Sequence, residues 1–186
     1  AGKVSRLAII NGTSISATTK SIMLGAFQAG VSNKLSSNQV DILKEVSELS
    51  AGILVKFREN PKELGKAVVQ AKALGTTLGG LDKIGDSLLN WESSINAELK
   101  AELITGRQLN VEKARYAALT GDQVTLAKEV TDQVGSLYDF QKMNIIAQKS
   151  LAETFGLSRE ELSGMLLEQD KFNKLGDISG KTAQQQ

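Results

Sequence analysis

ALTGD at 118–122, QVGSLYDFQKMN at 133–144 and LAETFGLSREELSGML at 151–166 share one grammar: a turn signal, a polar residue able to cap a helix, then apolar residues every three or four positions. That spacing places the apolar side chains on one face of an α-helix. The last phrase is the best specified. Ser158 and Glu161 form a capping box, with Leu157 and Leu162 placed as a hydrophobic staple across it. Asp122 or Gly121 starts a helix carrying Val124, Leu126, Ala127, Val130 and Val134. Gly135 and Ser136 repeat the device and lead into Phe140, Met143, Ile146, Ala147, Leu151 and Phe155.

Working back along the chain, Asn110 can cap a short helix through Leu119, and Gly106 closes the block before it. Asn60, Pro61 and Glu63 make a second start signal, with Asn60 as cap, proline at the first helical position and Glu63 reaching back. Beyond them Leu74, Leu78, Leu81, Leu88, Ile95 and Leu99 fit a 4-3 ladder with vacancies at Gly85 and Glu92. Two readings fit it: a coiled-coil seam, or a helical hairpin broken at Gly79 and Gly80. Unbroken from Pro61 to Ile104, the helix would be roughly 65 Å long. From Asn38, Leu43, Val46, Ile53, Leu54 and Phe57 mark one more helix, ending before Pro61.

Residues 1–36 are weakly patterned and basic; Ile15, Ile22, Met23 and Phe27 form a candidate stripe interrupted by Gly12, Gly25 and Gly30. Residues 37–105 read as a long hairpin or coiled-coil-like region, 106–175 as a short-helix module, and 176–186 as a flexible tail. The expectation is an all-α chain: a series of amphipathic helices, partly coiled-coil-like, with short capped turns. The stripe Leu74, Leu78, Leu81, Leu88, Ile95 and Leu99 is the candidate assembly interface.

Composition supports helices and narrows the chemistry. The 186 residues include 4% aromatics and one proline, which disfavours sheets, while 17 glycines imply several breaks. Cysteine and histidine are both absent, which removes the thiolate and imidazole nucleophiles, bases and metal ligands of most hydrolases and zinc sites. No disulfide can form, so nothing demands an oxidising compartment. Lys plus Arg (22) nearly cancels Asp plus Glu (21), leaving no global basic field. The charge is uneven, however: Lys3, Arg6, Lys20 and Lys34 precede the first acid, Asp41. Such a start has the look of a transit peptide, but those favour Arg and this one holds only Arg6. The apolar run Ile22 to Val31 is far short of the ~20 residues a membrane span needs. A first residue Ala1, not Met, suggests processing or excision from a longer product.

Candidate sites are weak. GTTLGG at 75–80 lacks the Lys-Ser/Thr ending of a phosphate loop and follows a helical run. Glu92, Glu98 and Glu102 could be imagined as paired carboxylates for glycoside cleavage, but evenly spread Glu is the wet face of an amphipathic helix. Trp91, Tyr116, Tyr138 and the phenylalanines read as packing anchors. Ala152, Gly156 and Leu162 have the spacing of a DNA-binding helix-turn-helix. Against it, residues 158–170 hold Arg159 alone against Glu160, Glu161, Glu168 and Asp170, the wrong sign for phosphate. No catalytic, cofactor or metal site is expected.

The segment Leu109 to Leu167, with its ALTGD-like turn, VGS turn and FGLSREEL-like cap, resembles helical segments of bacteriophage tail tape-measure proteins and related virion proteins. The resemblance implies a non-enzymatic role. Helical chains fill the tail tube, set its length during assembly and leave when the genome is delivered. It further implies residence in the virion, inside the tail, after assembly in the host cytoplasm, and partners that are other copies and other virion proteins. The competing expectation is a helical adaptor or a helix-turn-helix DNA-binding regulator using residues 151–167.

Overall fold

A computed structural model describes residues 2–32 and 39–184 of the chain. Asn38, read as a helix start, and the last residues of the tail, Gln185 and Gln186, lie outside them. The described residues are all-α, with no strand among them. In order the helices are α1 (Lys3–Ile10), α2 (Ile15–Ser32), α3 (Gln39–Glu48), α4 (Ala51–Lys56), α5 (Pro61–Ala73), α6 (Leu78–Leu89), α7 (Trp91–Thr105), α8 (Glu112–Thr120), α9 (Gln123–Val134), α10 (Leu137–Lys142), α11 (Ile145–Thr154) and α12 (Arg159–Gln184). By contacts the chain forms two compact units, one of residues 1–73, 77–79 and 172–186, the other of 74–76 and 80–171. The region 37–105 is therefore divided between them.

In the first unit the weakly patterned start is helical. Gly12, at φ 61°, closes α1, where the Thr13 amide reaches back to the Ala8 carbonyl at 2.9 Å. Ser14 then opens α2 by accepting the Ala17 amide at 3.0 Å. Gly25 and Gly30 do not interrupt α2; both are buried, and Gly25 lies on the face that meets α5. A Cβ on Gly25 would sit 1.8 Å from the Lys62 carbonyl oxygen, and one on Gly65 would sit 1.9 Å from that of Ile22. The two helix backbones touch, and only glycine permits it. The expected stripe of Ile15, Ile22, Met23 and Phe27 is thus not one face: Ile22 is buried, whereas Ile15 and Phe27 are exposed.

The single helix expected before Pro61 is two. Ser50 breaks it by accepting the Ile53 amide at 3.2 Å, and Lys3 donates to the Leu49 carbonyl at 2.6 Å. Asn60 caps α5 as read, taking the Glu63 amide at 3.3 Å, but Glu63 pairs with Lys66 instead of reaching back. Glu45 is buried, with Oε1 accepting the Leu78 amide at 2.9 Å and Oε2 lying 3.7 Å from Lys72 Nζ. Burial pushes its carboxyl above the usual range, more than these partners pull it down.

The helix from Pro61 to Ile104 is interrupted twice, after Ala73 and at Asn90, and Gly79 and Gly80 lie inside α6 rather than at a break. The first interruption has a tertiary cause within the second unit. Gly75 adopts φ 84°, and a Cβ there would meet the Met165 carbonyl at 1.9 Å. The vacancy at Gly85 is likewise filled from outside, by Leu126 and Ala118. Asp122 and Ser136 cap α9 and α10 as read, accepting the Thr125 and Asp139 amides at 3.0 and 3.1 Å. An unread cap, Asn144, accepts the Ala147 amide at 2.9 Å and separates α10 from α11. Gln148 Nε2 donates to the Phe140 and Met143 carbonyls at this break. The Ser158–Glu161 box closes in both directions, at 3.1 and 2.7 Å. The backbone of α12 continues to Gln184, where a tail was expected from 176.

The same substitution should have opposite signs at two helical glycines. Gly65→Ala forces α2 and α5 apart and should lower stability by about 2–3 kcal/mol. Gly164→Ala, in α12 with nothing within 4 Å of the new Cβ, should raise it by about 0.5–1 kcal/mol. Thermal unfolding of the two variants checks this; equal shifts would contradict the close α2–α5 contact. A second expectation concerns pH. Because the folded pKa of Glu45 is raised, its contribution is most favourable below the unfolded value and is lost as pH rises through the folded one. Glu45→Gln keeps an oxygen for Leu78 and should unfold at the same or a higher temperature at pH 7, with no advantage at pH 4.

Candidate functional site

Of the six ladder residues, Leu74, Leu78, Leu81 and Leu88 are buried within the chain itself, while Ile95 and Leu99 are exposed on α7. A common exposed seam therefore does not exist. The breaks after Ala73 and at Asn90 divide the ladder among separate helices, so it is not one continuous helical stripe.

On α7 the pattern is inverted. Its inward face holds small or polar residues: Ser94 and Ala101 are buried, and the Ala97 carbonyl accepts a hydrogen bond from Thr154 Oγ1 at 3.5 Å. Lys100 joins Glu153 at 2.8 Å, tying α7 to α11. Its outward face carries Trp91, Ile95, Leu99 and Leu103, exposed by 48, 40, 52 and 87%. These four recur every fourth residue, on adjoining turns of one side of the helix. An amphipathic helix normally turns such a stripe inward. Here the most apolar face of α7 meets solvent.

The carboxylates imagined as a catalytic pair hold the backbone that follows α7. Glu98 Oε1 accepts the Val111 amide at 3.0 Å, and Glu102 Oε1 accepts the Leu109 amide at 2.8 Å. Arg115, 5% exposed, donates from Nε to Ser94 Oγ at 2.9 Å and from Nη2 to Glu98 Oε2. From the other side Arg107 donates to the Gln133 and Val134 carbonyls, and Gln133 Oε1 accepts the Asn110 amide at 2.8 Å. Both acids are thus engaged in ordering residues 107–111. Glu92 stands apart, exposed in the first turn of α7, with no hydrogen bond or ion pair to another described residue.

The remaining candidates fall as follows. GTTLGG borders an open cleft of about 370 Å³ whose rim includes Glu160, Glu161 and Glu168. Lys83, on that rim, is already 2.8 Å from Glu161, so an anion would meet net negative charge. That ammonium and the Ser158 amide pull the Glu161 carboxyl down to about 2. In the helix-turn-helix-like segment Ala152 and Leu162 are buried, and Gly156 takes φ 67° against the Ser87 side chain. Gly156 itself is exposed, not buried as that spacing suggests. Arg159 is half-buried and paired with Glu160 at 2.8 Å. Not all large side chains are anchors: Phe57, Phe140 and Phe155 are buried, but Phe27, Trp91, Tyr116 and Tyr138 are exposed. Among the described residues no group of carboxylates gathers as a metal site, and no helix is long and apolar enough to cross a membrane.

No protein-family model, curated protein or solved structure matches this chain.

Arg115→Leu should leave Glu98 and Ser94 without their shared donor and lower stability by about 3 kcal/mol. Glu92→Gln, on the same helix, should change it by less than about 0.5 kcal/mol. Urea unfolding of both separates the buried Arg115–Glu98–Ser94 cluster from the free acid; similar midpoints would contradict these roles.

Proposed function

We propose that the chain is a structural, non-enzymatic component of a tailed-phage virion, a segment of a tail tape-measure protein, which works by helix–helix association. The reading places it inside the tail, after assembly in the host cytoplasm, among further copies and other virion proteins. The inverted α7 carries it: Trp91, Ile95, Leu99 and Leu103 form an apolar stripe that stays exposed among the described residues. Stripes of this kind on helical chains are buried by neighbours. The order of turns and caps from Leu109 to Leu167 supplies the family. The alternative regulator has less support, because Arg159 is engaged by Glu160 and is the lone cation of residues 158–170.

Magnitudes set the kind of assembly. Fully burying one such side chain contributes about 1.5–3 kcal/mol, so covering four half-exposed ones contributes about 4 kcal/mol. Association costs at least that much in lost rigid-body freedom. One contact is therefore weak, and a stable assembly needs several per chain, as in a repeated packing along a tube.

The test is self-association. Leu99→Asp together with Leu103→Asp places charge in the stripe and should lower the mass seen by light scattering at high protein concentration, with helicity by circular dichroism unchanged. A compact monomer at every concentration, in both the unaltered chain and the variant, would remove the basis for this function.

A further inference from the structure

Helix α2 carries a second uncovered face. Ala17, Lys20, Leu24, Phe27 and Val31 recur at spacings of 3, 4, 3 and 4, and all five are exposed. This is the spacing of a coiled-coil seam, and it lies opposite the glycine face that meets α5. The seam is apolar except at Lys20, which makes no hydrogen bond or ion pair to another described residue. No acidic residue precedes Asp41, so the cation has no counter-charge along the first 40 positions.

The face on α7 is complementary in sign. Its acids are Glu92, Glu98 and Glu102, and the last two are committed to the 107–111 backbone. Glu92 alone is free, at one end of the apolar stripe. Lys20 likewise sits toward the N-terminal end of the α2 seam. Laid parallel with Lys20 opposite Glu92, Leu24 falls against Ile95, Phe27 against Leu99 and Val31 against Leu103. Those stretches are about 17 Å long on both helices at 1.5 Å per residue.

We propose that the α2 seam of one copy docks on the α7 stripe of a second copy of this chain, with Lys20 against Glu92. This rests on the assembly reading above and names its contact. Because the two surfaces differ, the interface is heterologous: each copy offers one α2 and one α7, and copies add head to tail into a ring or an open chain. Sequences with a like charge at both positions are disfavoured, so the pair also fixes direction and register.

Charge exchange tests it on the full chain. Lys20→Glu and Glu92→Lys lie on exposed helix surface, and circular dichroism should show each folded as the unaltered chain is. Each alone puts like charges together and should weaken self-association roughly tenfold or more in sedimentation runs across a concentration series. The double variant should recover most of the loss, and so should an equimolar mixture of the two single variants, since each then supplies the charge the other lacks. If the unaltered chain associates but Lys20→Glu has no effect, or neither the double variant nor the mixture recovers, the α2–α7 pairing is wrong and the assembly reading stands. If the unaltered chain never associates, both fall.

Discussion

Helix backbones in contact at glycine are the constraint on which this architecture depends. With 4% aromatic residues, the chain has few large side chains with which to fill gaps between helices. Helices are instead brought closer together at glycine. Gly25 and Gly65 each lie where a Cβ would overlap a carbonyl of the other helix. Around them Ile22, Ala26, Leu64 and Val68 are almost wholly buried. In the second unit Gly75 does the same against the Met165 carbonyl, and Gly156 against the Ser87 side chain.

Close packing of short helices multiplies helix ends, and every end leaves backbone groups to satisfy. The chain meets this with side chains rather than with water alone. Ser14, Ser50, Asn60, Asp122, Ser136, Asn144 and Ser158 each accept an amide at a helix start. Glu45 and Glu98 perform the same service across 33 and 13 residues, for the Leu78 and Val111 amides, and Glu102 holds the Leu109 amide seven residues on. Acids that resemble catalytic residues by spacing are thereby used up in architecture. The Arg115–Glu98–Ser94 cluster sits among them, and its burial makes each member depend on the others.

Apolar side chains are left exposed on several helices, and two of these faces concern the proposed assembly. The outer sides of α2 and α7 are apolar, lack cover and carry one free charge each, of opposite sign. In the proposed assembly their burial would add weakly but repeatedly.

The all-helical class was legible because apolar residues at three- and four-residue spacing, few β-formers and local caps are all properties of near neighbours in sequence. Asp122, Ser136 and the Ser158–Glu161 box could be read for that reason: their partners lie three residues away. The direction in which each stripe faces could not. Periodicity gives a helix one apolar side but is silent on what lies against it, so Leu74, Leu78, Leu81 and Leu88 belonged to the core while Ile95 and Leu99 did not. Glycine was ambiguous for the same reason. In sequence Gly25, Gly79 and Gly85 read as breaks or vacancies, yet all three lie within helices, and at Gly25 and Gly85 a neighbouring element occupies the space a side chain would need. Local chemistry determined the elements and most of their ends; three-dimensional packing decided which glycines were contacts and which apolar faces stayed open, because both depend on residues tens of positions away.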